Sequence, residues 1–298
     1  MVTVVVGVCW LALPFTVGDT LDAALGGRSP LARWVVGVGA WSLWALGAAV
    51  LAIPRTTSLT VARFVVPAGL ATSVAATVVA VTTDGGGSIG FTTAVGITAA
   101  AAATVLSLSA PFADRGVNGS SYGAERRFAL RPTAAMVAVA PLLWLIVAGA
   151  FATGPLLVAA GLVIPGIVGW ALGWPVAGMV VRRAHVLARR WLVLVPVGVV
   201  VHDPLVLTDS LLVQRRTLAG LGPAPADTTA RDLTGGAFGL ALEIRTSEPT
   251  SFLTNAARRE AGGSRTALGE QVNAVLVAPS RPGAVMGAAA ERRLPQLR

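Results

Sequence analysis

Up to about residue 181 the chain reads as long apolar runs separated by short polar breaks; beyond it, apolar positions come in short runs between turn residues. A bilayer span needs about 20 predominantly apolar residues. The pattern predicts about six spans: Val2–Thr16, Trp34–Ile53, Phe64–Val81, Phe91–Ala110, Ala134–Thr153 and Leu156–Val181. The first is short and begins directly after Met1. It lacks the basic start of a secretory signal, so it reads as a retained span. The stretch Arg182–Asp203, RRAHVLARRWLVLVPVGVVVHD, is where the chain changes solvent. It reads as the end of the last membrane helix, a basic collar, and the first hairpin of a water-facing domain.

Within the helical part, Thr153-Gly154-Pro155 predicts a very tight hairpin that makes the fifth and sixth spans antiparallel neighbours. Pro165-Gly166 predicts a kink in the sixth span, because proline removes a backbone donor. Gly169 and Gly173 have the GxxxG spacing that admits a close helix neighbour. Packing within the chain, a dimer contact and a ligand site are three uses for it.

From Trp191 the texture is that of strands. WLVLV and VVVH flank Pro196-Val197-Gly198 as a hairpin. Further strands are predicted at Leu205–Leu207, Leu211–Gln214, Phe238–Arg245 and Ala274–Ala278. Turn-rich pieces are predicted at Gly220–Thr229 and Thr246–Thr250, and a polar loop at Arg258–Gly269. The end of the chain reads as a helix over about Gly283–Arg293, with Pro282 at its start. The fold class is thus an α-helical multi-pass membrane domain over residues 1–181 and a small α+β domain over 182–298. Strand order and terminal helix over Arg189–Arg293 resemble a bacterial pleckstrin-homology-like domain, which implies a bent antiparallel sheet closed by a C-terminal helix. The whole chain is similar to multi-pass membrane proteins of uncharacterised activity common in actinobacteria. That likeness implies a location and no activity.

Composition agrees with the membrane reading. Hydrophobic residues make up 54% of 298 and charged residues 12%, with a mean hydropathy of +0.73, where a soluble domain carries about a quarter charged residues. All 23 basic residues are Arg. Arg placement predicts orientation. Loops 54–63, 111–133 and 182–190 hold ten Arg and the alternate loops hold two, which makes the first set and both termini cytoplasmic, in a bacterial inner membrane. The net charge of +9 then reads as contact with anionic lipid heads rather than with nucleic acid.

Candidate chemistry gathers at the inner surface. Loop 111–133 holds Tyr122, Glu125, Arg126, Arg127 and Arg131. It reads either as a lipid-head-group or phosphate site, because Arg forks bind phosphate oxygens bidentately, or as a loop lying along the membrane with Glu125 paired locally. Tyr122 and Glu125 are the residues a polar site would use. The collar residues Arg182, Arg183, Arg189 and Arg190 each contribute about 1 kcal/mol near an anionic leaflet. His185 and His202 lack a ligand-spaced third partner, so no metal is expected. No cofactor is expected either. Gly85-Gly-Gly87 lacks the Lys-Ser/Thr of a P-loop, and Cys9 is the lone cysteine. The predicted spans carry no ionisable group in their apolar cores, which argues against a proton-driven pump. These readings favour a non-enzymatic scaffold that presents the second domain to membrane lipids or a protein partner. The alternative is a passive transporter or channel for a neutral or apolar solute, motivated by the Pro165-Gly166 break.

Overall fold

The structure is a computed structural model that describes residues 1–83, 89–260 and 269–297; the predicted Gly85–Gly87 turn and most of the Arg258–Gly269 loop lie outside the described residues. Two compact units divide the chain. The first comprises Met1–Phe112 and Pro141–Ala184, the second Ala113–Ala140 and His185–Arg298. The sequence boundary at 181/182 therefore falls close to one junction. It misses the other, because residues 113–140 also belong to the second unit.

The first unit is built from α1 (Val2–Leu11), α2 (Leu13–Leu25), α3 (Pro30–Ala52), α4 (Thr56–Thr83), α5 (Phe91–Ser107) and most of two further helices, α7 (Ala134–Ala159) and α8 (Val163–Ala188). Among the described residues five helices are long and apolar enough to cross a membrane, α1 with α2 counting as one, and up to six if the bent pair of α5 with α6 (Ala110–Asn118), 61° apart, counts as another. Most of their apolar surface faces outward: Phe15, Trp34, Phe91 and Ile164 are largely exposed. Helices apolar all round are stable only where lipid replaces water. Hydroxyls inside them are satisfied locally, Ser73 Oγ donating to Gly69 O and Thr77 Oγ1 to Ser73 O, each at 2.8 Å.

Trp10 organises the N-terminal helices. Its buried ring lies against Gly47 of α3 and Gly69 of α4, where a Cβ atom would stand 2.2 and 2.5 Å from ring carbons. The Trp10 Nε1–H donates to Trp44 O at 2.9 Å, and Trp44 Nε1–H returns a bond to Trp10 O at 3.3 Å.

Several sequence expectations shift here. The first span is not short: α1 and α2 continue to Leu25 and take in Asp19 and Asp22. Arg63 belongs to α4 rather than to a loop. Helix α7 runs through Thr153-Gly154-Pro155, and the turn comes later, at Gly161 with φ +85°. Pro155 does not stop α7, and in a membrane helix neighbouring packing tolerates the missing bond. Pro165 does not kink a span, because α8 starts at Val163 and proline costs little in a first turn, where the N–H groups lack intrahelical partners. Gly173 packs against the Ala150 backbone of α7, where a Cβ would stand 2.2 Å from Ala150 O. The GxxxG spacing serves packing within the chain.

The second unit holds two four-stranded sheets. The first contains β1 (Arg126–Ala129), β2 (Trp191–Val195), β3 (Gly198–His202) and β4 (Leu211–Gln214) in that order, all antiparallel. The second contains β5 (Leu218–Pro223), β6 (Arg231–Asp232), β7 (Leu242–Phe252) and β8 (Glu270–Val277) in the order β5-β7-β8-β6, with β6 parallel to β8. A short helix, α9 (Asn255–Glu260), follows β7, and α10 (Pro282–Glu291) closes the chain. Inward residues alternate with period two. Leu192, Leu194, Val199, Val201, Leu211 and Val213 meet Leu221, Leu242, Ile244, Val275 and Val277, with Val285, Ala288 and Ala289 of α10 over them.

The hairpin of β2 and β3, the strand at 211–214 and the terminal helix follow the sequence reading. Leu205–Leu207 is instead a turn, in which Asp203 accepts from Leu205 N through its side chain and from Leu207 N through its carbonyl. Thr246–Thr250 lies inside β7, where Pro249 falls at an irregularity in register between Arg245 and Thr250, a position at which a strand tolerates proline. Gly220–Pro223 is strand because it pairs antiparallel with β7 over Leu242–Arg245; the tail adds to its other edge, Leu221 N donating to Pro295 O and Leu297 N to Leu221 O, each at 3.0 Å.

Candidate functional site

The candidate site residues fall on β1 and its approach, on the end of α8, and at the start of β2. Of residues 111–133, read from sequence as a head-group site or a loop along the membrane, all from Ala113 on belong to the second unit. Arg126–Ala129 form an edge strand paired with Trp191–Leu194, and Asp114 Oδ1 accepts from Ala129 N at 2.9 Å. Buried Phe128 anchors this strand in the core. The signal for it in sequence is only RRFA, one large apolar residue, too short a run to read as a strand.

Glu125 is held locally. Its Oε1 accepts from Tyr122 N at 2.6 Å and from Arg127 Nη2 at 2.7 Å. The Tyr122 side chain faces solvent, 81% exposed, so main chain and not hydroxyl carries its contact with Glu125. Arg127 lies over the Trp191 ring at 5.3 Å. Its buried Nε finds no hydrogen-bond acceptor among the described residues, and the ring face supplies part of the missing stabilisation. Trp191 in turn stacks on His202, with centroids 4.7 Å apart. His202 Nδ1 shares a hydrogen bond with Ser210 Oγ at 2.7 Å. Burial first, then nearby Arg189, holds the His202 imidazolium pKa below the usual histidine range, against the opposing pull of Asp203.

The collar divides. Arg182 and Arg183, near the end of α8, and Arg189, just after it, are exposed. Arg190 is not, and the reading that placed it among lipid-facing groups is corrected. Its side chain is 1% exposed and its partner Asp203 0%. Arg190 Nε and Nη2 donate to the carboxylate at 2.9 and 2.7 Å, Nη1 to Arg131 O at 2.8 Å, and Nη2 to Thr234 O at 3.3 Å. This ion pair ties the start of β2 to the end of β3 and to the loop after β6. A run of two arginines cannot announce which one turns inward; strand alternation after Ala188 decides it.

Arg131 is also drawn away from a purely lipid-facing role. Its Nη1 donates to Phe238 O at 2.9 Å and Leu240 O at 3.0 Å. Gly239 between them has φ +93°, and a Cβ there would stand 2.5 Å from Arg131 Nη1. Arg126 remains exposed, its Nη1 3.9 Å from Glu291 Oε2. The structure therefore brings Glu125, Arg127, Trp191 and His202 onto one sheet face, and leaves Arg126, Arg182, Arg183 and Arg189 as the exposed cations of the predicted set. Sequence reading missed one further charged group, buried Glu243, which accepts from Arg245 Nη2 and Thr228 Oγ1, each at 2.7 Å. Among the described residues no group of three or more His, Cys, Asp or Glu is placed to hold a metal ion.

Fold and site together define a class: a protein that, among the described residues, has five to six helices suited to crossing a membrane and a second unit of two sheets and a closing helix. Comparison with protein-family models, curated proteins and solved structures finds no match.

Proposed function

We propose that this is a non-enzymatic scaffold of the bacterial inner membrane that presents a cytoplasmic, PH-like module to anionic lipid heads or to a protein partner. The observation that carries the reading is the exposure of Arg182, Arg183 and Arg189 at the end of α8, a 26-residue helix of high hydropathy. Basic side chains at the end of a span are where anionic head groups sit, and their excess over residues 182–190 supports a cytoplasmic face and cytoplasmic termini. The PH-like likeness is supported by the antiparallel first sheet and by α10 closing the core. Two features depart from it, the parallel β6–β8 pair and the insertion of α7 and α8 between the paired strands β1 and β2. The interruption at Pro165-Gly166 that motivated a transporter has become the start of a helix, so no observation now favours that reading.

Mass spectrometry of lipid co-purified with the full chain tests the proposal. At about 1 kcal/mol per Arg, replacing Arg182, Arg183 and Arg189 with Ala lowers retained anionic lipid about 100-fold in partition. Equal retention by wild type and triple variant, with no stoichiometric protein partner recovered, refutes it.

A further inference from the structure

The second unit carries a cleft that none of the residues above forms. It measures about 300 Å³ and is lined by Ala124, Val195, Pro196, Arg215 and Arg292. It lies at the end of the first sheet where β1 begins and β2 and β4 finish; the chain joins α7 and α8 at the other end of β1 and β2. Arg215 N donates to Val197 O at 2.7 Å, which holds the β4–β5 turn against the β2–β3 turn. Both cleft guanidinium groups are anchored on main chain. Arg215 Nη2 donates to Arg293 O at 3.0 Å; Arg292 Nη2 donates to Ala124 O at 2.9 Å and Nη1 to Ala288 O at 3.4 Å. A guanidinium has five N–H donors, so these bonds restrain Arg292 through two carbonyls and Arg215 through one, and leave donors over. Among the described residues no carboxylate lines the cleft, and the adjacent acid, Glu291, has an Oε2 3.9 Å from Arg126 Nη1.

The anchoring uses an uncommon backbone. Helix α10 ends with Leu294 N donating to Ala289 O at 3.0 Å and Arg293 N to Ala290 O at 2.8 Å. In this termination the residue at Arg293 is usually Gly, because it takes a left-handed conformation. Here Arg293 takes φ 52°, and its carbonyl is the one that holds Arg215.

We propose that this cleft binds a phosphate monoester. Two guanidinium groups anchored on main chain, an apolar lining of Ala124, Val195 and Pro196, and no lining carboxylate among the described residues suit a small anion with three terminal oxygens and a carbon-bearing tail. Such a group carries about −1.5 to −2 charge at neutral pH and accepts bidentate bonds from Arg. A soluble sugar or glycerol phosphate and a phosphatidic acid head share that chemistry. The site uses none of Arg182, Arg183 or Arg189, so it stands or falls apart from the scaffold reading.

The test uses the full chain in phosphatidylcholine nanodiscs, with glycerol 3-phosphate titrated by calorimetry, and a second arm in which phosphatidic acid is added to the discs and its retention is measured. Arg215→Gln weakens whichever ligand binds by about tenfold or more, while Arg259→Gln, an exposed charge on α9 outside the cleft, leaves binding unchanged. Because Arg215 is exposed, the thermal midpoint without ligand stays at the wild-type value, which separates lost binding from lost folding. Arg292→Lys keeps the charge but not the fork, and gives an intermediate loss. Binding of glycerol 3-phosphate that Arg215→Gln weakens identifies a soluble ester; an effect confined to phosphatidic acid identifies the lipid. Absence of both up to about 10 mM, or binding indifferent to Arg215→Gln, overturns the proposal.

Discussion

Replacing Asp203 with Ala is expected to destabilise the second unit more than any surface change. The substitution leaves the Arg190 guanidinium in place, 1% exposed, with the two carbonyl bonds to Arg131 and Thr234 but without its counter-charge. Breaking a buried pair by removing one partner costs about 3–5 kcal/mol, because an uncompensated charge stays buried. At about 1.4 kcal/mol per tenfold, this lowers the protection of β2 and β3 amides by roughly two to three and a half orders of magnitude. Hydrogen exchange read by mass spectrometry on the full chain in micelles measures it peptide by peptide. The double variant Arg190→Met, Asp203→Leu is the control. It removes both charges and fills similar volume, and such exchanges are often neutral or stabilising. Here it also strands Arg131 O and Thr234 O, which costs about 1–3 kcal/mol for each buried group left unpaired. Together the two carbonyls cost about 2–6 kcal/mol against about 3–5 kcal/mol for the lone buried charge, so the double variant measures which of the two dominates. If Asp203→Ala changes protection less than about tenfold, the pair is not what holds this corner together.

The second unit should lose stability as pH falls from about 7.5 towards 5.5. Burial lowers the folded-state pKa of His202 below its unfolded value, so on acidification the unfolded chain takes up the proton first and gains relative to the fold. A His202→Asn variant should show a flatter dependence of thermal midpoint on pH in that range, and an unchanged slope would exclude His202 as the cause. Asp114 acts in the opposite sense at lower pH. Burial raises its carboxyl above the ordinary range against its bond from Ala129 N and nearby Arg281, so its unfavourable contribution disappears as pH falls through the folded value. Gly47→Ala drives a methyl into the Trp10 ring and should destabilise the first unit by about 1–3 kcal/mol. Gly37→Ala, with nothing within 4 Å, should be neutral or slightly stabilising by thermal unfolding in detergent. Arg293→Gly removes a left-handed strain of about 1 kcal/mol and should raise the thermal midpoint of the second unit, provided the Arg293 carbonyl keeps its bond from Arg215.

Much of the architecture was legible from hydrophobic pattern alone. A run of about 20 apolar residues has few soluble alternatives; α4 and α7 cover their predicted spans, and α3 and α5 cover all but the last one and three residues of theirs. The hairpin around Pro196–Gly198, the strand at 211–214 and a helix starting at Pro282 came from period-two alternation and proline placement, both local properties. What failed was decided by contacts far along the chain. RRFA becomes a strand because β2, about sixty residues on, offers its edge. Leu218–Pro223 becomes one despite its glycines because β7, about twenty residues on, pairs along it, with the tail bridging Leu221 on the other edge. The turn between α7 and α8 moved because proline in a membrane helix is tolerated when neighbours satisfy what it releases, and a single sequence does not display those neighbours.

For the site, the sequence by itself determined the number and sign of the charges near residues 122–131 and 182–190, and the solvent change at Arg182. Tertiary structure alone decided which cations stay outside. Arg190 turns inward to Asp203 because β2 begins there and its register places that side chain under the sheet. Arg189, one residue earlier, remains exposed. Arg215 and Arg292, seventy-seven positions apart, meet only because β4 and α10 end at the same edge of the fold.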